Sequence, residues 1–408
     1  VDKQVVQRFR ACFDVYLLYI ALAMLVIGWH DTHTQVEWML GDWLINYQGG
    51  FVRRGLMGEL VLHSSRLTHV SPLYVAAAMG ILFYAVIWLS VREILFRSSW
   101  SLWTLFVVFS PATLAFGILD DRGGFHKEII FLAGLGLLLV LLDRIEVSDL
   151  FLSAYLTITC AVCILSHEAL FVYMAYYLAA VVIGRPGWRR VLSIAAVPFL
   201  VGAACFYATT QHPGNQDIVE QICLSLKDLG PVMHDGAIGY LSHDSRFARE
   251  ELLTDMHLYH YLNRYPLLAI LSLLPILWGF CSLWKQEQLR KNLRIIGGLS
   301  LLSMLGSTML FLYATDWGRW IYIHIFSLSL LFLFLSSRAT NQSYDFAQML
   351  IWPQREYRAK AWGMFFLLLL YSGAWNLPCF GDHPAHGYWN IVIHLMPYLK
   401  HHPPVTAS

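Results

Sequence analysis

Apolar runs of roughly 17–22 residues recur along this chain, separated by short polar strings. At about 1.5 Å of rise per residue, each run suffices to cross about 30 Å of hydrocarbon as a helix. A transmembrane barrel would instead show alternating segments of about ten residues, and none stands out. Charge agrees with the pattern: 13% of the 408 residues are charged, where a soluble domain carries about 25%. The reading is all-α, a polytopic transmembrane helical bundle. Its eleven expected spans fall near 11–29, 73–91, 100–119, 128–142, 150–166, 168–184, 191–209, 266–284, 294–313, 319–336 and 362–377. No repeat, low-complexity segment or soluble domain interrupts them, so residues 1–408 are expected to form one transmembrane domain.

Lysine and arginine give an expected orientation, because they accumulate in cytoplasmic loops. With the N-terminus inside, Arg92, Arg97, Arg144, Arg185, Arg189, Arg190, Lys285, Arg290 and Lys291 all fall on the cytoplasmic side, while acidic residues collect outside. The expected topology is N-in, C-out. Lys3, Arg8 and Arg10 precede an apolar stretch as in a signal peptide. That stretch is long and lacks a small-residue cleavage site, so it reads as a retained first span. A net charge of +1 gives no argument for a nucleic-acid partner. The seven cysteines show no disulfide or zinc spacing. Cys160 and Cys163 lie at i and i+3 of an apolar run and read as packing.

Two long outer segments, 30–72 and 210–265, carry most of the polar chemistry and form the expected catalytic face. In the first, Val36, Met39, Leu40, Trp43, Leu44 and Tyr47 recur at helical spacing, which predicts an amphipathic helix at the headgroup level. Gly49 and Gly50 end it, Arg53 and Arg54 follow, and Gly55 to Leu67 predicts a second interfacial helix. Glu37 and Asp42 flank the apolar stripe. Glycine lets backbone N–H groups approach an anion, and the arginine fork suits phosphate. Tyr47, Gly49, Gly50, Arg53 and Arg54 are therefore candidates for binding a phosphorylated substrate. The competing reading pairs the arginines with Glu37, Asp42, Glu59 or lipid headgroups.

Asp120, Asp121, Arg122, His126, Lys127 and Glu128 crowd the turn between the third and fourth spans. Such a turn suits a divalent cation at the aspartates, a phosphate at Arg122 and Lys127, or plain solvation. His167 and Glu168 sit where two short spans meet. Ionisable groups at membrane depth point to function, although a His–Glu pair also serves to hold a turn. Arg319, beside Asp316, Trp317 and Trp320, either anchors the interface or joins the phosphate site. In 210–265, Tyr259 and Tyr261 are the candidates for contact with a sugar.

This layout of many spans, a long first outer loop with acidic residues, a second acidic turn and a larger later loop resembles the C-type (GT-C) membrane glycosyltransferases. It is also similar in size and arrangement to bacterial O-antigen and capsule polymerases. The resemblance implies a polyprenyl-phosphate- or diphosphate-linked sugar donor and an active face on the periplasmic side of a bacterial inner membrane. It also implies partners among other envelope-polysaccharide assembly proteins and leaves a divalent metal, Mg²⁺ or Mn²⁺, as an expected cofactor. In that family an acidic residue of the first outer loop acts as base or metal ligand. The role would fall here to Asp42, with Glu37 or Asp31 as rivals, and the second acidic position to Asp120 and Asp121. No Asp-x-Asp or Asp-Glu pair stands in the first loop, which departs from the family pattern. Two other classes stay open: a transporter or flippase, and a metal-dependent acyl- or phospho-transferase using the Asp120–Asp121 turn.

Overall fold

The computed structural model of the chain describes residues 3–34, 38–98, 101–144, 146–230, 235–339 and 358–381. Those residues form helices and turns, with no strand among them. Helix α1 (Lys3–Thr34) leads into a short α2 (Met39–Asp42), then α3 (Gly55–Thr68) and α4 (Pro72–Leu95). Next come α5 (Leu102–Val108), α6 (Phe116–Leu119), α7 (Glu128–Arg144) and α8 (Asp149–Ser166). A 3-10 stretch, Glu168–Met174, continues into α9 (Ala175–Gly184), and α10 (Trp188–Gln211) follows. The second long loop holds α11 (Gln216–Leu226), α12 (Gly236–Gly239) and α13 (Ser245–Leu258). The chain then returns through α14 (Tyr261–Trp284), α15 (Glu287–Ser307), α16 (Leu310–Tyr313), α17 (Trp317–Ser337) and α18 (Arg358–Gly373).

Among the described residues, seven helical segments are long and apolar enough to cross a membrane: α1, α4, α8, α10, α14, α15 with α16, and α17. Each matches an expected span. Shorter apolar helices cover Glu168–Gly184 and Trp362–Gly373, and the expected 128–142 span is α7, buried along most of its length. At the centre, α17 is buried on every side from Gly318 to Ser336 and packs on α14, α7, α4 and α15. A helix that is apolar all round belongs in such a place. Its opposite is α10, which buries only Ile194, Pro198, Gly202 and Thr209, mainly against α8. The exposed Phe199, Leu200 and Tyr207 on its other faces suit lipid rather than water.

Two expectations need correction. The 100–119 segment is not one helix. Pro111 has no N–H to give and would crowd the preceding turn, so α5 stops at Val108. The Thr113 hydroxyl then donates to the carbonyl oxygens of Val107 at 3.0 Å and Ser110 at 2.9 Å. Nor is 34–48 an interfacial helix. Among the described residues after α1, this stretch is helical at Met39–Asp42 alone, and Met39, Leu40, Trp43, Leu44 and Ile45 are buried. Asn46 competes with the helix by hydrogen-bonding its own backbone, donating to Leu44 O and accepting from Gln48 N. Trp43 Nε1 donates to Phe125 O and ties the segment inward. The second piece does form a helix, α3, whose Gly58 lies so close to the Ile45 carbonyl that a Cβ there would collide with it.

Candidate functional site

The first loop, the turn before α7, the turn after α8 and the start of α17 meet at one end of the bundle. Gly50 makes the turn after Tyr47 with φ +109°, and Arg53 N donates to His212 O at 2.9 Å, fixing the strand of chain against the end of α10. Arg54 then stands in the left-handed region, φ +67°. For a residue with a Cβ this costs about 1–2 kcal/mol and persists only where neighbours over-determine it. Two contacts do so here. The Arg54 carbonyl accepts from Lys127 Nζ at 2.8 Å, and its guanidinium donates Nε and Nη2 to the Glu168 carboxylate at 3.0–3.2 Å. Arg53 Nη1 approaches the same carboxylate at 3.6 Å.

The site has two layers. Arg53 and Arg54 keep 24% and 23% of their side chains exposed, and Glu168 14%. Beneath them Lys127 is fully buried, 3.6 Å from Asp42 Oδ1. Burial pushes the Lys127 ammonium down to about 8 against the pull of the Asp42 carboxylate. For Arg54 the balance is reversed: burial opposes its charge, but Glu168 and Asp42 outweigh that and hold its pKa above the ordinary value. Burial lowers the pKa of Arg53, with Glu168 opposing.

Farther in, Arg319 is the hub. Its Nη2 lies 2.6 Å from Asp316 Oδ2, its Nε 3.0 Å from Glu128 Oε1, and its face 4.4 Å from the Trp320 ring centroid. Arg319 Nη1 donates to His126 Nδ1 at 2.7 Å, and His126 Nε2–H donates to Arg122 O at 2.9 Å. That pattern assigns His126 as the neutral Nε2–H tautomer. Burial, then the Arg319 charge, agree by lowering its pKa. His167 is wholly buried, 3.8 Å from Glu128 Oε1, and burial followed by the Arg54 charge holds it neutral too.

Asp42, Arg53, Arg54, Lys127, His167, Glu168 and Arg319 are thus brought together from segments far apart in sequence. Other expected site residues serve elsewhere. Asp120 accepts from the backbone N–H groups of Arg122 and Cys379 and holds the chain after α18, while the Arg122 side chain is exposed. Tyr261 is buried against Tyr265 and Trp317, with its hydroxyl donating to Thr315 O at 2.7 Å. Tyr259, half-buried, packs beside Gly381. Tyr47 stacks on Phe51, and burial, then Glu59, push its phenol up to about 12. Gly49 allows close packing on Ile218 of α11, whereas Gly50 faces open space. Asp31 lies 3.5 Å from His30. Glu37 and the side chain of Asp121 lie outside the described residues. Glu59 takes the N–H groups of Tyr47 and the Gln48 side chain rather than either arginine.

Glu128, His126 and Asp316, noted in the sequence as part of the crowded turn and as the neighbour of Arg319 but given no role of their own there, complete the cluster. The signal for Glu128 was an acid opening a fully apolar run. Among the described residues, no three His, Cys, Asp or Glu side chains are grouped to hold a metal ion. Asp42, Glu128 and Glu168 each face a cation, and Asp120 is occupied by backbone donors. Among the described residues, this donor set does not fit Mg²⁺ or Mn²⁺.

The fold and the buried ionisable cluster define an integral, multi-pass membrane protein. A family model described as "Uncharacterised membrane protein Rv1490" matches residues 11–237, more than half of the chain, and the protein belongs to that family. The matched segment carries the whole cluster except Asp316 and Arg319. No curated protein and no solved structure matches the chain.

Proposed function

We propose that this protein is a membrane glycosyltransferase using a polyprenyl-phosphate- or diphosphate-linked sugar in envelope polysaccharide or glycolipid assembly. In this reading the chain crosses a bacterial inner membrane with its N-terminus inside, and the ion-pair end of the bundle faces the periplasm. The observation that carries the reading is the Arg53–Arg54–Glu168 group: two partly exposed guanidinium groups share one carboxylate, at the rim of a buried charged cluster. Paired forks of this kind suit a phosphate or diphosphate.

The donor's phosphate would compete with Glu168 for both arginines. Once displaced, Glu168 regains its own affinity for a proton and can take it from the attacking hydroxyl. The hydroxyl oxygen bonds to the anomeric carbon, and the sugar–phosphate C–O bond breaks. The polyprenyl phosphate leaves with the electron pair, its charge met by Arg53 and Arg54. Lys127 and Asp42 act below, holding the strained Arg54 backbone in place.

The test is turnover of radiolabelled polyprenyl-phosphate sugars by the full chain in proteoliposomes. Arg53→Ala is expected to slow release of polyprenyl phosphate by about 10²–10³. Unchanged release would overturn the assignment. One observation favours a second reading. The broken 100–119 segment and the 3-10 stretch at Glu168–Met174 are irregular backbone within apolar sequence, as in transporters built on discontinuous helices. Lipid-linked substrate crossing the vesicle wall without bond cleavage would support that reading instead.

A further inference from the structure

The inner layer contains polar atoms that the ion pairs do not satisfy. Both carboxylate oxygens of Glu128 and both ring nitrogens of His167 are buried without a hydrogen-bond partner, and the side chains are 2% and 0% exposed. Buried polar atoms in native proteins are almost always hydrogen-bonded, so four such atoms side by side call for a cause. Arg319 does not supply one. Although its Nε is 3.0 Å from Glu128 Oε1, that N–H makes no hydrogen bond, and Nη1 and Nη2 are directed to His126 and Asp316.

The charges around Glu128 point the same way. From α17 it faces Arg319 and Asp316, and from α2 Asp42. Its own preceding turn brings Lys127, which is engaged by Asp42, and the neutral His126. Arg54 and Arg53 are shared out on Glu168. The phenols of Tyr84 and Tyr173 lie near, the first donating to Gly124 O and the second to Trp320 O at 3.3 Å. The outer layer therefore has two cations for one acid, while the inner layer has Arg319 alone for Asp316 and Glu128. One negative charge is in excess in the inner layer, and a proton on one carboxylate cancels it.

We infer that Glu128 is a neutral carboxylic acid that donates its proton to His167 Nε2, forming a buried proton-binding site that links the turn before α7 to the turn after α8. His167 then carries its own hydrogen on Nδ1, and the gap of 3.8 Å closes by rotation of the carboxyl group. An imidazolium–carboxylate pair is the wrong alternative, because burial, then Arg54, with Arg319 and Lys127, disfavours a cation on the ring and outweighs the opposing Glu168 charge. The inference does not depend on what Arg53 and Arg54 bind.

Infrared spectroscopy of the full chain in lipid at neutral pH tests it without a substrate. A carboxylic-acid C=O band above the amide region is expected, shifting in D₂O, lost in Glu128→Gln and retained in Glu168→Gln. In His167→Phe it should move to higher frequency as the acceptor is removed. If Glu128→Gln fails to fold, a wild-type spectrum without the band at neutral pH still overturns the site. A band that disappears as pH is raised supports the site, and no protonated-carboxyl band at neutral pH overturns it. A band that persists in folded Glu128→Gln also overturns it, by assigning the proton to another acid.

Discussion

The two long loops have similar chemical alphabets and opposite fates. The second, 210–265, has more charged residues, yet its Asp244, Arg246 and Glu251 are paired within the loop itself, while Arg264 at its end donates to Gly381 O. Asp244 caps α13 by accepting from Phe247 N at 2.9 Å, and Arg246 pairs with Glu250 one turn along the same helix with 85% of its side chain exposed. Tyr240 donates to Glu251. The first loop has fewer such groups, but it folds inward and its arginines reach Glu168, 114 residues away. Its Asn46 is in turn covered by Ser225 of α11, so the second loop serves the first as a roof. The density of polar residues is thus a poor guide to a site. What separates the loops is whether their charges meet partners from distant segments under burial, where each ion is expensive to leave unpaired.

The sharpest way to break this comparison is to remove one cation from each loop's environment. Lys127→Met would strand the Asp42 carboxylate and deprive the Arg54 carbonyl of its donor. Loss of about 3–5 kcal/mol of stability is expected, read as a large drop in the thermal midpoint of the purified protein. Arg246→Ala removes only an exposed pair, and such pairs contribute little, so its midpoint should match wild type. Equal effects would mean that burial does not distinguish the two regions. Lys127 also sets a pH dependence. Its folded pKa of about 8 lies below the ordinary 10.5, so between those values the unfolded chain binds more protons. Stability should rise with pH across that window. In Lys127→Met that rise should vanish.

Activity gives the next contrast. The slowing of about 10²–10³ expected for Arg53→Ala corresponds to about 2.7–4 kcal/mol of barrier. Arg246→Ala, carrying the same charge change in the second loop, should leave turnover unaltered. If both variants slow it alike, the arginines act through general surface charge rather than through a fork aimed at phosphate.

How much of this was legible beforehand depended on the kind of physics involved. Span length is a one-dimensional property, so α1, α4, α8, α10, α14, α15 and α17 could be read from apolar runs. Arg53, Arg54, His167, Glu168 and Arg319 stood out because charge in or beside a span needs a reason. Roles were not legible, because they follow from burial. Lys127, read from the sequence either as a phosphate ligand or as part of a solvated turn, lies beneath the first loop and donates to the Arg54 carbonyl. Met39–Tyr47 has the periodicity of a surface helix. Its apolar face instead meets the protein on all sides, and Asn46 offers the backbone a better local bond. Glu128 drew little notice as the first residue of α7, since nothing along the sequence reveals that His167 lies opposite.

A smaller effect tests the inward packing of the first loop directly. An alanine methyl at Gly58 would collide with the Ile45 carbonyl. Because the obstacle is backbone, it cannot turn aside as a side chain would. Gly58→Ala should cost about 1–3 kcal/mol and speed hydrogen exchange in 39–48, where the loop must lift. If exchange there is unchanged, α3 and the first loop are not held in the register described.

The smallest expected effect belongs to the second loop. Asp244→Ala removes the side-chain acceptor at the start of α13, a change worth about 1 kcal/mol in typical helices. Because α13 buries only Ala248 and Leu252, little else ties that first turn down. Faster exchange at Phe247 and its neighbours is expected, with no change at Arg53, Arg54 or Lys127 and none in turnover. A loss of activity from this distant cap would show that the roof and the charged cluster move as one unit, and the division between the two loops would then have to be drawn elsewhere.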